Sequence, residues 1–365
     1  MGGPLGGSTV RRYIPPRAPP GAPTMNRFAR SAWGVLAYDV AVAAWGAYVR
    51  ATGSGAGCGR HWPLCNGEII PRAPRVQTLV ELSHRVTSGI ALLLTAALFA
   101  WALRAYPRGH RVRRGATAAL ALMVAEALLG AMLVLFELVA HDASMKRALS
   151  VSLHLSNTFL LLASTALTAF WASGGAPVRV RGQGPMRWVV AVPLAATLLV
   201  GATGALTALG DTLFPAASLA SGVAQDLLPG AHLFVRLRAL HPVLAVLDAT
   251  LLVVGASGMR AMRGGQPLRG LSLALSGLAV AQVGGGLLDV ALLAPVWLQL
   301  VHLVLADSVW IALVLASAAA LAADDARPFA DGASGAEHVE ERPGPEQRRP
   351  AVEQDRRAGH VRARG

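Results

Sequence analysis

Eight stretches of this chain are long and apolar enough to cross a lipid bilayer, which takes about 20 residues per helix. They fall roughly at 31–49, 78–103, 115–138, 148–172, 188–209, 238–257, 270–293 and 297–322. In hydrocarbon every backbone polar group must find its partner within the protein, and for runs of this length that means helices. The expectation is an all-α membrane protein with eight transmembrane helices. Composition agrees: 54% of residues are hydrophobic and 15% charged, where a soluble domain carries about a quarter. The gaps 139–147 and 294–296 are short, so the helices they join are antiparallel neighbours.

The net charge of +13 is nearly all arginine, since Lys146 is the only lysine. A nucleic-acid surface would gather these arginines into one patch. Instead they lie in short loops between apolar runs, as charges that set topology do. The leading segment and the loops 104–114, 173–187 and 258–269 carry half of them, and loop 50–77 blurs the contrast. This places both termini in the cytoplasm, in a multi-pass protein of a bacterial inner (cytoplasmic) membrane. No nucleic-acid partner is expected.

The eight spans read as two sets of four. ELSHRVTSGIALLLTAAL opens the second helix, and VRLRALHPVLAVLDATLLVV holds the equivalent place in the second set. The fourth helices, SLHLSNTFLLLASTAL and LVHLVLADSVWIALVLA, also match. The expected architecture is two tandem four-helix bundles related by a pseudo-twofold axis along the membrane normal. The first bundle spans 31–172, a cytoplasmic linker 173–187, and the second bundle 188–322. Residues 1–30 form a basic Pro/Gly-rich segment, and 323–365 a mixed-charge tail; both are expected to be disordered. Met25 opens MNRFAR directly before the first span, so residues 1–24 read as an extension or a misplaced start.

Histidine is what the repeats share. His84, His154, His241 and His302 sit at similar positions in helices two, four, six and eight. All four helices run in the same direction, which puts the rings roughly 5–10 Å below the outer boundary at about 1.5 Å per residue. A ligating side chain inside a membrane helix is a functional candidate by default, and neutral imidazole is a standard axial ligand of haem iron. His84 paired with His154, and His241 with His302, would clamp two irons. A single buried histidine more often bonds a neighbouring helix; four matched ones favour ligation. The remaining histidines, including His61, His110, His141 and His232, lie in loops or tails and read as solvated.

These residues resemble the haem A synthase family. The segment GAYVRATGSGAGCGRHWPLCNGEIIP, with its Arg, TGSG turn, Cys and WPLCNG, is specific to that family, and ELSHR resembles its Glu-x-x-His-Arg motif. The resemblance runs from about Met25 to residue 322 and is stronger in the first half. It implies an enzyme that oxidises the C8 methyl group of haem O to a formyl group, giving haem A for terminal oxidases. It also implies that His241 and His302 hold a haem b cofactor, while His84 and His154 hold the substrate haem. The sequence departs from some relatives in two places. Loop 210–237 has no cysteine pair, and Asp211 and Asp226 are read as no substitute for a disulfide. His241 is followed by Pro242, which is expected to loosen the first turn of its helix.

Glu81 shares a helix face with His84. It reads either as a catalytic proton acceptor and donor or as a first-turn glutamate paired with Arg85 or Arg50; the motif favours the first. Arg50 and Arg85 read equally as haem-propionate ligands or as interfacial arginines. Cys58 and Cys65 lie in the outer loop, where disulfides persist. A structural disulfide is the simplest reading, with a redox-active pair open and zinc disfavoured by an incomplete ligand set. Asp39, Glu126, Glu137, Asp248, Asp289 and Asp307 are intramembrane acids without an assigned role. A di-haem electron carrier and a haem transporter are the competing functions. A haem O synthase handing over its insoluble product is the expected partner, and an electron acceptor is implied.

Overall fold

The computed structural model describes residues 26–322. Most of segment 1–30 and all of tail 323–365 lie outside the described residues. Among the described residues the chain is helical: α1 Arg27–Ala51, α2 Val76–Ala105, α3 Arg111–Leu135, α4 Met145–Ala172, α5 Met186–Leu213, α6 Leu219–Leu227, α7 Leu233–Met262, α8 Gln266–Ala291 and α9 Val296–Ala320. Eight of these, all but α6, are long and apolar enough to cross a membrane. They fit a multi-pass membrane protein.

Helix ends depart from the apolar runs for a local reason. α1 starts at Arg27, inside the segment expected to be disordered, because Asn26 caps it by accepting the Ala29 N–H at 2.7 Å. The Asn26 amide also reaches the end of α4, donating to the Ala172 carbonyl at 3.1 Å. α4 and α7 likewise begin ahead of their apolar cores. Ser144 caps α4, and His232 caps α7 through its ring. Hydropathy cannot register these polar first turns. They set His154 and His241 roughly 12–14 Å from the starts of their helices, while His84 and His302, on helices without a side-chain cap, lie roughly 9–12 Å along, at about 1.5 Å per residue. His232 and His110 are therefore capping residues: each ring Nδ1 accepts a backbone N–H, from Phe234 and Val112 respectively. Pro242 does not loosen a first turn, because α7 has already run about two and a half turns before it and continues unbroken to Met262.

α4 and α9 form the centre. About three-fifths of each apolar window is buried, against less than a third for the other six spans. Trp310 of α9 stacks on Phe159 of α4 with centroids 5.3 Å apart, and its indole N–H donates to the Phe159 carbonyl at 2.6 Å. The largest apolar core gathers Leu162, Met186, Leu252, Leu275 and Leu313 around this contact. It draws on both sets of helices at once. Most other large side chains on the outer spans are exposed, as lipid-facing residues are, Leu93, Leu199 and Val280 among them.

Candidate functional site

The loop between α1 and α2 marks one end of the bundle, and α2, α4, α7 and α9 all start from that end. Their four histidines therefore share a level. The His84 and His154 rings are close enough to interact electrostatically, and so are those of His241 and His302.

Each ring lies against a glycine of a neighbouring helix. A Cβ on Gly46 of α1 would come within 2.9 Å of His84 Cε1. On Gly204 of α5 it would be 3.1 Å from His241 Cε1, and on Gly286 of α8 2.9 Å from His302 Cε1. Gly130 of α3 faces His154 more loosely, at 3.9 Å. Contacts near 3 Å leave no room for a methyl group, so glycine is what lets three of these imidazoles lie along the adjoining helix.

The ring nitrogens have distinct partners. Thr203 Oγ1 donates to the Val200 carbonyl at 2.8 Å and stands 3.1 Å from His241 Nδ1. With its proton on the Val200 carbonyl, Thr203 Oγ1 can accept from Nδ1–H, the tautomer that leaves Nε2 with a free lone pair. His154 Nδ1 stands 3.3 Å from Glu126 Oε1, although the N–H is not aligned well enough for a full hydrogen bond. Gln282 Nε2 lies 3.2 Å from His302 Nε2. His84 Nδ1 is buried without a partner. Sequence reasoning listed Glu126 without a role and missed Thr203 and Gln282. One signal was present: Glu126 precedes Gly130 by four residues, as Gln282 precedes Gly286.

Glu81 is buried, but its carboxylate is engaged away from the rings. Oε2 accepts the Cys58 backbone N–H at 2.8 Å, and Oε1 accepts from Arg85 Nη2 at 2.5 Å and Nε at 3.1 Å. Arg85 also donates to the His61 and Leu64 carbonyls, each at 2.5 Å. Cys58 and Cys65 are disulfide-bonded, and the Thr78 hydroxyl donates to the Gly57 carbonyl at 2.8 Å. A side chain at Gly57 would run into the Gln77 backbone. The first turns of α2 and the cysteine loop are therefore one unit, with Glu81 and Arg85 as its fasteners.

Arg50 does not face solvent. It reaches from α1 to the Ala208 carbonyl and Thr212 Oγ1 of α5, at 2.6 and 2.7 Å, and to Gln299 Oε1 of α9 at 2.9 Å. It joins the two sets of helices, which neither reading from sequence anticipated. The second-half loop has a fastener of its own. Arg238 pairs with Asp226 at 2.7 Å and Asp211 at 3.5 Å, and donates to the Phe214 carbonyl at 3.1 Å. Asp211 and Asp226, read as no substitute for a disulfide, do hold the loop through this arginine. Of the other acids, Asp248 accepts from Thr197 Oγ1 at 3.0 Å. Glu137 lies beyond the end of α3, exposed and 3.7 Å from Arg60.

An apolar cavity of about 400 Å³ opens between α3 and α4, lined by Leu128, Leu129, Met132, Leu153 and Leu160 among others. It borders the turn that carries His154.

The family model of the cytochrome oxidase assembly proteins matches residues 29–314. The chain belongs to that family. Among curated relatives, one from Thermus thermophilus named protoheme IX farnesyltransferase is 53% identical over 300 residues, 82% of this chain and 49% of the relative. The heme A synthases of Bacillus mycoides and Bacillus cereus are each 44% identical over 86 residues, 24% of this chain and 28% of theirs. The chain spans about half the length of the Thermus relatives it matches.

Proposed function

We propose that this protein is a haem A synthase, an oxidoreductase that converts the C8 methyl group of the substrate haem O to the formyl group of haem A. The observation that carries the reading is the two histidine pairs at one level, each ring packed on a neighbouring helix. The family and the partial likeness to heme A synthases support it. Among the described residues no group of three or more His, Cys, Asp or Glu side chains is placed to hold a metal ion. Two imidazoles per site suit an iron whose remaining ligands come from a porphyrin. The Thr203 contact, which admits the tautomer with His241 Nε2 free, suits axial ligation. The residues present therefore fit haem.

On this reading His241 and His302 hold haem b, which supplies one-electron chemistry when bound. His84 and His154 hold the substrate haem. Gly46 lets the His84 ring lie back against α1. Glu81 and Arg85 hold the disulfide loop over the start of α2 and exclude water there. Glu81 is the carboxylate for proton handling, a role it takes up once released from Arg85 or from the Cys58 N–H. The duplicated four-helix arrangement, with one site keeping its haem and the other exchanging it, belongs to the same proposal. So does a haem O synthase as the donor of the substrate.

A second reading comes from the Thermus relative's name: farnesyl transfer to protohaem. That name belongs to a protein about twice the matched length, and prenyl transfer has no use for paired imidazoles. Expression of the full chain in two hosts separates the readings. In a host that makes haem O but no haem A, haem A is expected by chromatography with mass detection, and its loss in His84→Ala and Glu81→Ala. In a host limited to haem b, farnesylated haem would instead support the transferase. Haem b alone in both hosts would sink the synthase and favour an electron carrier.

A further inference from the structure

The two pairs differ in what stands behind one histidine. Glu126 Oε1 of α3 stands 3.3 Å from His154 Nδ1, within ion-pair distance though not aligned for a hydrogen bond in this structure. The acid has close neighbours: Asn157 Nδ2 donates to Oε2 at 2.5 Å, and Thr158 Oγ1, whose single proton serves either Oε1 at 2.5 Å or the His154 carbonyl at 3.0 Å, stands beside it. The second Asn157 proton goes to the Leu122 carbonyl at 3.0 Å, which fixes the amide. At the matching position of α8 stands Gln282, an uncharged amide, and it meets His302 at Nε2, 3.2 Å away. His302 Nδ1 has no partner. Behind His241 is a hydroxyl, and behind His84 Nδ1 nothing. Only one of the four rings has a carboxylate at its rear nitrogen.

We propose that Glu126 is a positioning residue for His154: its carboxylate takes the Nδ1–H, holds the ring in the tautomer with a bare Nε2, and makes His154 the strongest iron donor of the four. This rests on the reading that His84 and His154 hold a haem. A carboxylate behind a ligating imidazole raises its basicity and fixes its orientation. A stronger donor favours the ferric over the ferrous state, so the first site would have the lower potential of the two. Oxidising chemistry at the substrate's edge is served by an iron held electron-rich, while the second site, backed by a hydroxyl and an amide, is better suited to accept electrons. Thr158 and Asn157, one turn or less from His154 on the same helix, exist in this scheme to aim Glu126.

The test uses the full chain loaded with two equivalents of haem b, followed by optical redox titration and by electron paramagnetic resonance of the ferric haems. Glu126→Gln keeps the shape and removes the charge. It should raise the potential of one haem by about tenfold in the oxidation equilibrium, about 59 mV for one electron, change that haem's ferric spectrum, and leave the other haem untouched. Glu126→Asp should restore part of the shift. Gln282→Glu should lower the potential of the second haem. A merely structural role would alter occupancy or melting with both potentials unchanged; that result in Glu126→Gln overturns the proposal. If Glu126→Gln fails to hold its haem, Gln282→Glu decides, and an unmoved second potential overturns it. Binding of a single haem by the unmodified chain, or of two by His154→Ala, would instead remove the paired-histidine reading and this inference with it.

Discussion

At the scale of single residues, the glycines beside the histidines make the sharpest forecast. Gly46→Leu should cost the chain one of two bound haems, read as about half the haem absorbance per protein. Gly34→Leu on the same helix, where a Cβ would meet nothing within 4 Å, should retain both. Equal loss in the two variants would mean that α1 tolerates no bulk anywhere and that Gly46 has no special part. The histidines themselves were legible in the sequence because ionisable groups in apolar helices are conspicuous. The glycines were not, since a helix of small residues presents many and only packing shows which one meets a ring. Glu81 was legible as a motif residue. Its engagement with Arg85 and the Cys58 N–H was not, because the loop that supplies the N–H folds back from 23 positions earlier.

At the scale of elements, the loop before α2 and the loop before α7 are closed differently. The first uses a disulfide and the Glu81–Arg85 fastener; the second uses Arg238 with Asp226 and Asp211. Arg238 stands three residues before His241, as Glu81 does before His84, so the same helical position reaches the loop with opposite charge. Truncating a mostly buried ion-pair partner leaves its carboxylates unpaired, at a cost of about 3 kcal/mol. Arg238→Met should therefore speed hydrogen exchange in α6 and its flanks; unchanged protection there would show that the loop is held by its apolar contacts. Replacing Cys58 and Cys65 by serine frees a short closed loop, with an expected loss of about 2 kcal/mol, measured as a lower melting temperature in detergent. No change in melting would mean that Arg85 alone secures the loop. The eight spans could be read from hydropathy, but α6 could not. It has nine residues, and its place depends on Arg238, which no local pattern reveals.

At the scale of the whole molecule, α4 and α9 carry the structure. Trp310→Phe keeps the stack on Phe159 but removes the indole donor, for an expected loss of about 1 kcal/mol. Trp310→Ala should cost about 3–5 kcal/mol, as large core truncations do. Similar melting temperatures for the two variants would deny this contact its central place. The shared core also explains why two sets of helices, so separable in sequence, make one body: Arg50 and the Phe159–Trp310 contact are long-range pairings to which periodicity is blind.

That α4 is locked to α9 while α2 is open to lipid along most of its length has a consequence for traffic. On the proposed function, a flat, greasy molecule gripped between His84 and His154 would have one jaw anchored in the core and one, α2, packed mainly on α1 and α3. A doorway sideways into the bilayer would then open where α2 parts from α1, and the molecule would not meet water on its way in or out. A covalent tether between α1 and α2 should slow haem exchange at this pair, whereas a tether between α4 and α9 should leave the exchange rate as it was. The reverse result would put the doorway at the centre of the protein.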